Sequence, residues 1–204
     1  RYVKDALSWF RSNSAALGIG DGAPILAGFS AGGHLAALAG ATGGVAGFEP
    51  HGGAVEVVPG AVVVLGGPVD LPSFRADSGD AGLPNTVALS DYLDCNFLFP
   101  CEAEMIAGSP VTYFDAGDPP IYAIYAADDE RIPTTQASEL ESAALAAGFE
   151  TNVIVGVAGV RVAECTEYFG AAGCDASPWF HSAVPRMLDP AKLAMWLGAR
   201  GLGA

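Results

Sequence analysis

Pro24-Ile-Leu-Ala-Gly-Phe-Ser-Ala-Gly-Gly-His-Leu35 sets a short, uniformly apolar run directly before a serine and a run of small and apolar residues directly after it. The first part, Pro24 to Phe29, reads as a buried strand. Residues 31–41, with His34, Leu35 and Leu38 among alanines and glycines, read as a buried helix. At the junction stands Gly28-Phe29-Ser30-Ala31-Gly32, a G-x-S-x-G pattern placed between strand and helix. A serine at so sharp a turn is held in a strained conformation that lifts Oγ clear of the sheet, and the helix beginning beyond it favours developing negative charge. On this reading Gly28 and Gly32 must be glycine, because side chains there would collide with the turn. Gly33 adds room. The bland alternative is a Gly/Ser-rich turn without function.

Outward from this junction the chain alternates. Residues 2–17 carry Val3, Ala6, Leu7, Phe10 and Leu17 at helical spacing, ending at Gly18. Ala61-Val-Val-Val-Leu65, Pro120-Ile-Tyr-Ala-Ile-Tyr-Ala126 and Thr151-Asn-Val-Ile-Val155 read as strands. Residues 134–147 read as a helix capped by Thr134 or Thr135, with Leu140, Ala144 and Leu145 on one face and Gly148 as its stop. Asp189-Pro190 starts a last helix through Leu193, Trp196 and Leu197. Apolar strands alternating with helices predict a mostly parallel sheet with helices on both faces, in a single domain over residues 1–204. The stretches 66–118 and 156–180 are long enough to be functional rather than connectors.

A serine hydroxyl needs a base, and the chain offers three histidines. His34 is one helical turn beyond Ser30, where a side chain packs under the turn. His51, in His51-Gly-Gly53, reads as a surface-loop residue. His181 lies after the last strand and before the last helix, where the order Ser, acid, His expects the base. The acid should follow the third strand, where both Asp128 and Asp129 stand; spacing does not separate them. A carboxylate there would accept the imidazole N–H and stabilise the imidazolium. The backbone N–H of Ala31 is the candidate oxyanion donor. Phe97, Phe99, Trp179 and Phe180 flank the expected active face and are candidates for an acyl or aromatic pocket.

The composition excludes several classes. Nine basic residues against 23 acidic ones give a net charge of -14, which repels nucleic acid and anionic membrane surfaces alike. Apolar runs fall well short of the roughly 20 residues of a membrane span. Cysteines occur as two local pairs, Cys95 with Cys101 and Cys165 with Cys174, a pattern fitting two disulfides and a secreted or periplasmic protein. No histidine is spaced to suggest zinc, and no cofactor or metal is implied.

The segments Ala27-Gly-Phe-Ser-Ala-Gly-Gly-His-Leu-Ala-Ala37, Ser109-Pro-Val-Thr-Tyr113 and Asp118-Pro-Pro120 through Ile132-Pro133 together resemble the secreted α/β-hydrolase esterases that include acetylxylan/feruloyl esterase-like and hormone-sensitive-lipase-like enzymes. The likeness covers about residues 1–155. It implies the α/β-hydrolase fold, and it lays Tyr125, Ala126 and Asp129 on H-G-x-x-D, favouring Asp129 as the acid. Leu93-Asp-Cys95 to Cys101-Glu resembles the family's small disulfide loop. Two departures stand out: the interval from Asp129 to His181 is longer than the family shows, and Phe180-His181-Ser182 replaces Gly-His-Gly. The resemblance also implies further strands and an H-G-G-G-type oxyanion loop ahead of the elbow. Only the C-terminal portion of the fold is expected here, with an apolar sheet edge that a second chain or subunit could complete. The expected activity is ester hydrolysis through Ser30, His181 and Asp129 on short-chain, aryl or carbohydrate esters. A prolyl-oligopeptidase-type peptidase, an acyltransferase and a catalytically impaired binding module are the rivals.

Overall fold

The computed structural model describes residues 1–78, 82–95, 101–156 and 184–202. Four strands, β1 (Ile25–Phe29), β2 (Ala61–Leu65), β3 (Ile121–Ala126) and β4 (Thr151–Gly156), form one sheet in the order β1-β2-β3-β4. All three pairings are parallel, with Ile25 opposite Ala61, Val62 opposite Ile121, and Ile121 opposite Thr151. Every residue of β2 and β3 is buried, as their unbroken apolar sequence requires of strands covered on both faces. Burying each Val, Leu or Ile side chain there is worth about 1.5–3 kcal/mol. Among the described residues the flanking strands are only partly covered, and Ile25 in β1 keeps 39% of its surface exposed.

Alternation along the strands divides the core. Val62, Val64, Ile121, Ala123 and Tyr125 pack on one face against Ala36 and Ala37 of α3 (Ala31–Ala41), Phe74 of α4 (Leu71–Asp77) and Leu140 of α7 (Thr135–Ala147). Ala61, Val63, Leu65, Tyr122 and Ile124 face the other way, onto Val184 and onto Trp196 and Leu197 of α8 (Pro190–Gly198). The start of α8 is the one the sequence prescribes, with Pro190 in the first turn and Asp189 accepting from Ala191 N–H (2.9 Å) and Lys192 N–H (3.2 Å).

The structure corrects several local readings. Residues 2–17 are two helices, α1 (Tyr2–Ser12) and α2 (Ser14–Leu17), because Asn13 leaves helical geometry (φ -108°, ψ 4°) and its side-chain amide donates to Trp9 O at 2.7 Å. Gly18 ends α2 at φ 68° as expected. Thr134 precedes α7 without a side-chain cap, and Leu145 is 83% exposed rather than sharing the face of Leu140 and Ala144. Within 66–118 lie α4, α5 (Gly82–Leu93) and α6 (Glu102–Gly108). The Cys95–Cys101 disulfide, with its Cα atoms 6.2 Å apart, joins the end of α5 to the start of α6. Cys165 and Cys174 lie outside the described residues.

Candidate active site

The strand-to-helix junction is built as the G-x-S-x-G reading demands. Ser30 sits at φ 55°, ψ -126°, a region that costs a non-glycine residue about 1–3 kcal/mol. The surroundings hold it there: Ser30 N–H donates to Leu65 O (2.9 Å), continuing the β1–β2 ladder, and Ser30 O accepts from His34 N–H (3.0 Å), opening α3. A Cβ on Gly28 would lie 2.0 Å from Gly32 O, so only glycine fits that position. The requirement does not extend to Gly32, where a Cβ would meet nothing within 4 Å; the crowding is one-sided because the helix carries that residue outward. Ala31 opens α3, so its N–H is among the first-turn amides that a helix cannot satisfy internally.

Ser30 and Ala31 border an apolar cavity of about 390 Å³, whose lining also includes Leu71, Phe74, Leu89 and Ile132. His34 packs under the elbow as expected and is 4% exposed, yet it also lines this cavity. Its Nδ1 is 3.0 Å from Pro68 O, which can only accept, so Nδ1 carries the proton and Nε2 accepts from Tyr92 O–H at 3.1 Å. Burial lowers the His34 pKa, which favours this neutral form. The loop after β2, which contributes Pro68, is anchored from three sides. Tyr125 O–H donates to Gly67 O (2.7 Å), Gln136 Oε1 accepts from the N–H groups of Val69 (2.8 Å) and Asp70 (3.0 Å), and Ser109 Oγ accepts from Leu71 N–H (2.9 Å).

The turn after β3 carries the two candidate acids. Asp129 Oδ1 accepts from Arg131 N–H (2.8 Å) and Ile132 N–H (3.0 Å), and Asp129 N–H donates to Ala126 O (3.2 Å). This carboxylate therefore organises its own turn, and Arg131 and Ile132 of that turn line the Ser30 cavity. From α5, Asn85 reaches across to donate to Arg131 O (3.0 Å) and to Ser78 Oγ (2.9 Å). Asp128 occupies the same turn one residue earlier.

The sequence reading missed Asn85, Tyr92 and Gln136. Asn85, Leu89 and Tyr92 recur at i, i+4 and i+7 on α5, and Gln136 stands one turn before Leu140 on the buried stripe of α7. A polar residue on an otherwise apolar helical stripe is the signal that could have found them. His51, expected on the surface, is exposed in its loop. There it donates from N–H and Nδ1 to the two carboxylate oxygens of Asp5 on α1 (both 2.6 Å), which lowers the Asp5 pKa. His181, with Phe97, Phe99, Trp179 and Phe180, lies outside the described residues.

The BD-FAE family profile matches residues 1–144, most of the chain. The chain belongs to the BD-FAE family. Among curated proteins this BD-FAE member is 28% identical to esterase LipQ of Mycobacterium tuberculosis over 152 residues, covering 73% of the chain and 34% of the relative. Its fold is that of the α/β-hydrolase esterases. A truncated carbohydrate esterase from gut microbiota superposes with a TM-score of 0.61 at 25% identity, covering 90% of this chain and 67% of that one. Esterase 2 of Thermogutta terrifontis in its butyrate-bound form superposes with a TM-score of 0.63 at 21% identity, covering 98% and 65% respectively. The chain thus spans about a third of the length of LipQ and about two thirds of these solved esterases.

Proposed function

We propose that this chain carries the nucleophile of a carboxylic ester hydrolase, with Ser30 attacking the ester carbonyl, His181 as general base and Asp129 orienting it. The observation that carries the proposal is the backbone of Ser30, forced into a costly conformation at the head of α3 and on the wall of an apolar cavity. In the first step the Oγ–C bond forms as the Oγ proton passes to the imidazole, and the Ala31 N–H donates to the oxyanion. Collapse breaks the ester C–O bond, the imidazolium protonates the departing alcohol, and water then releases the acid by the same route. Asp129 would accept the imidazole N–H and stabilise the imidazolium that forms. The likeness to a carbohydrate esterase favours acyl groups on sugars or short-chain and aryl esters as substrates.

Two further readings accompany this one. The Cys95–Cys101 disulfide supports a secreted or periplasmic protein, because such bonds persist in oxidising compartments. The part-exposed apolar β1 supports a sheet completed along that edge by a second chain or subunit. The net charge of -14 argues against nucleic acid or membrane as a partner. Replacing Ser30 with Ala should lower hydrolysis of p-nitrophenyl butyrate by several orders of magnitude, as loss of a triad serine costs about 10⁶ in kcat. Hydrolysis undiminished in the purified variant would refute the assignment.

A further inference from the structure

Two cavities share lining residues. The first, of about 390 Å³, is lined by Ser30; the second, of about 320 Å³, lies among Leu38, Ala39 and Thr42 of α3, Phe48, and the first turn of α1. Leu35 and Tyr92 line both. Leu35 comes from α3, the helix that Ser30 caps, and Tyr92 comes from α5 in the excursion between β2 and β3. Tyr92 is held in place, for its hydroxyl donates to buried His34 and its ring meets the imidazole edge-on, with centroids 5.2 Å apart and an interplanar angle of 89°.

We propose that Leu35 and Tyr92 form the partition that sets acyl chain length, stopping an acyl group that enters from Ser30 at the boundary with the second cavity. The inference rests on the reading of Ser30 as the nucleophile. A dry apolar cavity of about 150 Å³ accommodates a benzene ring, so the Ser30 cavity has room for far more than an acetyl methyl. Its lining includes the buried Leu71, Phe74 and Leu89, which reward apolar length. Each methylene buried there strengthens binding about fourfold. At Tyr92 and Leu35 that gain ends, and a longer chain must be strained or left in water. Removing either side chain joins the two spaces.

The test is kcat/KM for p-nitrophenyl esters from acetyl to dodecanoyl with the whole chain, its Tyr92→Ala, Leu35→Ala and Tyr92→Phe variants. The wild type should gain with length to roughly eight carbons and fall beyond that. Tyr92→Ala and Leu35→Ala should each move the fall by two carbons or more and raise the dodecanoyl-to-butyryl ratio about tenfold or more. Tyr92→Phe, which keeps the ring and loses the bond to His34, should retain the wild-type ratio. Leu35, 38% exposed, can be truncated without the fold depending on it, so the test survives an unstable Tyr92→Ala. An unmoved cut-off in Leu35→Ala, or Tyr92→Phe shifting as far as Tyr92→Ala, would overturn the partition. So would variants that respond to length in the alcohol at a fixed acyl group. Absence of Ser30-dependent hydrolysis in the wild type would instead overturn the reading of the site on which the partition rests.

Discussion

The turn at Ser30 and the turn at Asp129 border the same cavity and are built by opposite means. Around Ser30 the backbone does the positioning: Gly28 against Gly32, one strand bond to Leu65, one helical bond from His34. Around Asp129 side chains do it. The carboxylate folds its own turn through Arg131 and Ile132, and Asn85 reaches in from α5, more than forty residues away in sequence, to hold Arg131 O. Local geometry restricts which residue types can stand at a position. A remote hydrogen bond leaves the position chemically ordinary until the chain has folded.

The contrast can be broken most sharply at Gly28. Gly28→Ala places a methyl 2.0 Å from Gly32 O, a backbone atom that cannot step aside. Urea unfolding should show a loss of about 3 kcal/mol or more, at or beyond the upper end of ordinary overpacking. A wild-type midpoint would mean that the turn is softer than its packing implies. At the other turn, Asn85→Ala removes the donor to Arg131 O. The expected cost is about 1–3 kcal/mol of stability from the unpaired carbonyl, together with about a tenfold fall in kcat as the turn relaxes. Steady-state kinetics on protein confirmed as folded separates the two effects, and an unchanged kcat would reduce Asn85 to a structural tie. The smallest effect belongs to Gly32→Ala. With open space around its Cβ and a helical position, the substitution should raise stability by up to about 1 kcal/mol, read as a small rise in Tm. A loss comparable with Gly28→Ala would restore the symmetric requirement that the sequence motif suggests.

What the sequence revealed follows the same division. The parallel sheet was legible because β2 and β3 are apolar throughout, and the elbow because a strand, a serine between glycines and a helix occur in immediate succession. The Cys95–Cys101 pair was legible from its short spacing. The break at Asn13 was not, since apolar spacing continues across it while Asn13 leaves helical geometry and its side-chain amide donates to Trp9 O. Leu145 was misjudged because it directly follows Ala144, and one residue on a helix is enough to turn a side chain from core to solvent. Gln136 and Asn85 stayed hidden for a related reason. Their partners, Val69, Asp70 and Arg131, are backbone groups brought within reach only by tertiary packing. The choice of Asp129 came from family resemblance rather than from spacing. Its two turn bonds give it a defined conformation, and its pairing with His181 belongs to the proposal.

Fluorophosphonate labelling of the purified chain, with the modified residue located by peptide mapping, tests directly whether Ser30 is the nucleophile. A nucleophilic Ser30 should give a single stoichiometric adduct, abolished by Ser30→Ala and slowed by replacement of His181 or Asp129. An unlabelled Ser30 in folded protein, or an adduct on another residue, would contradict that assignment.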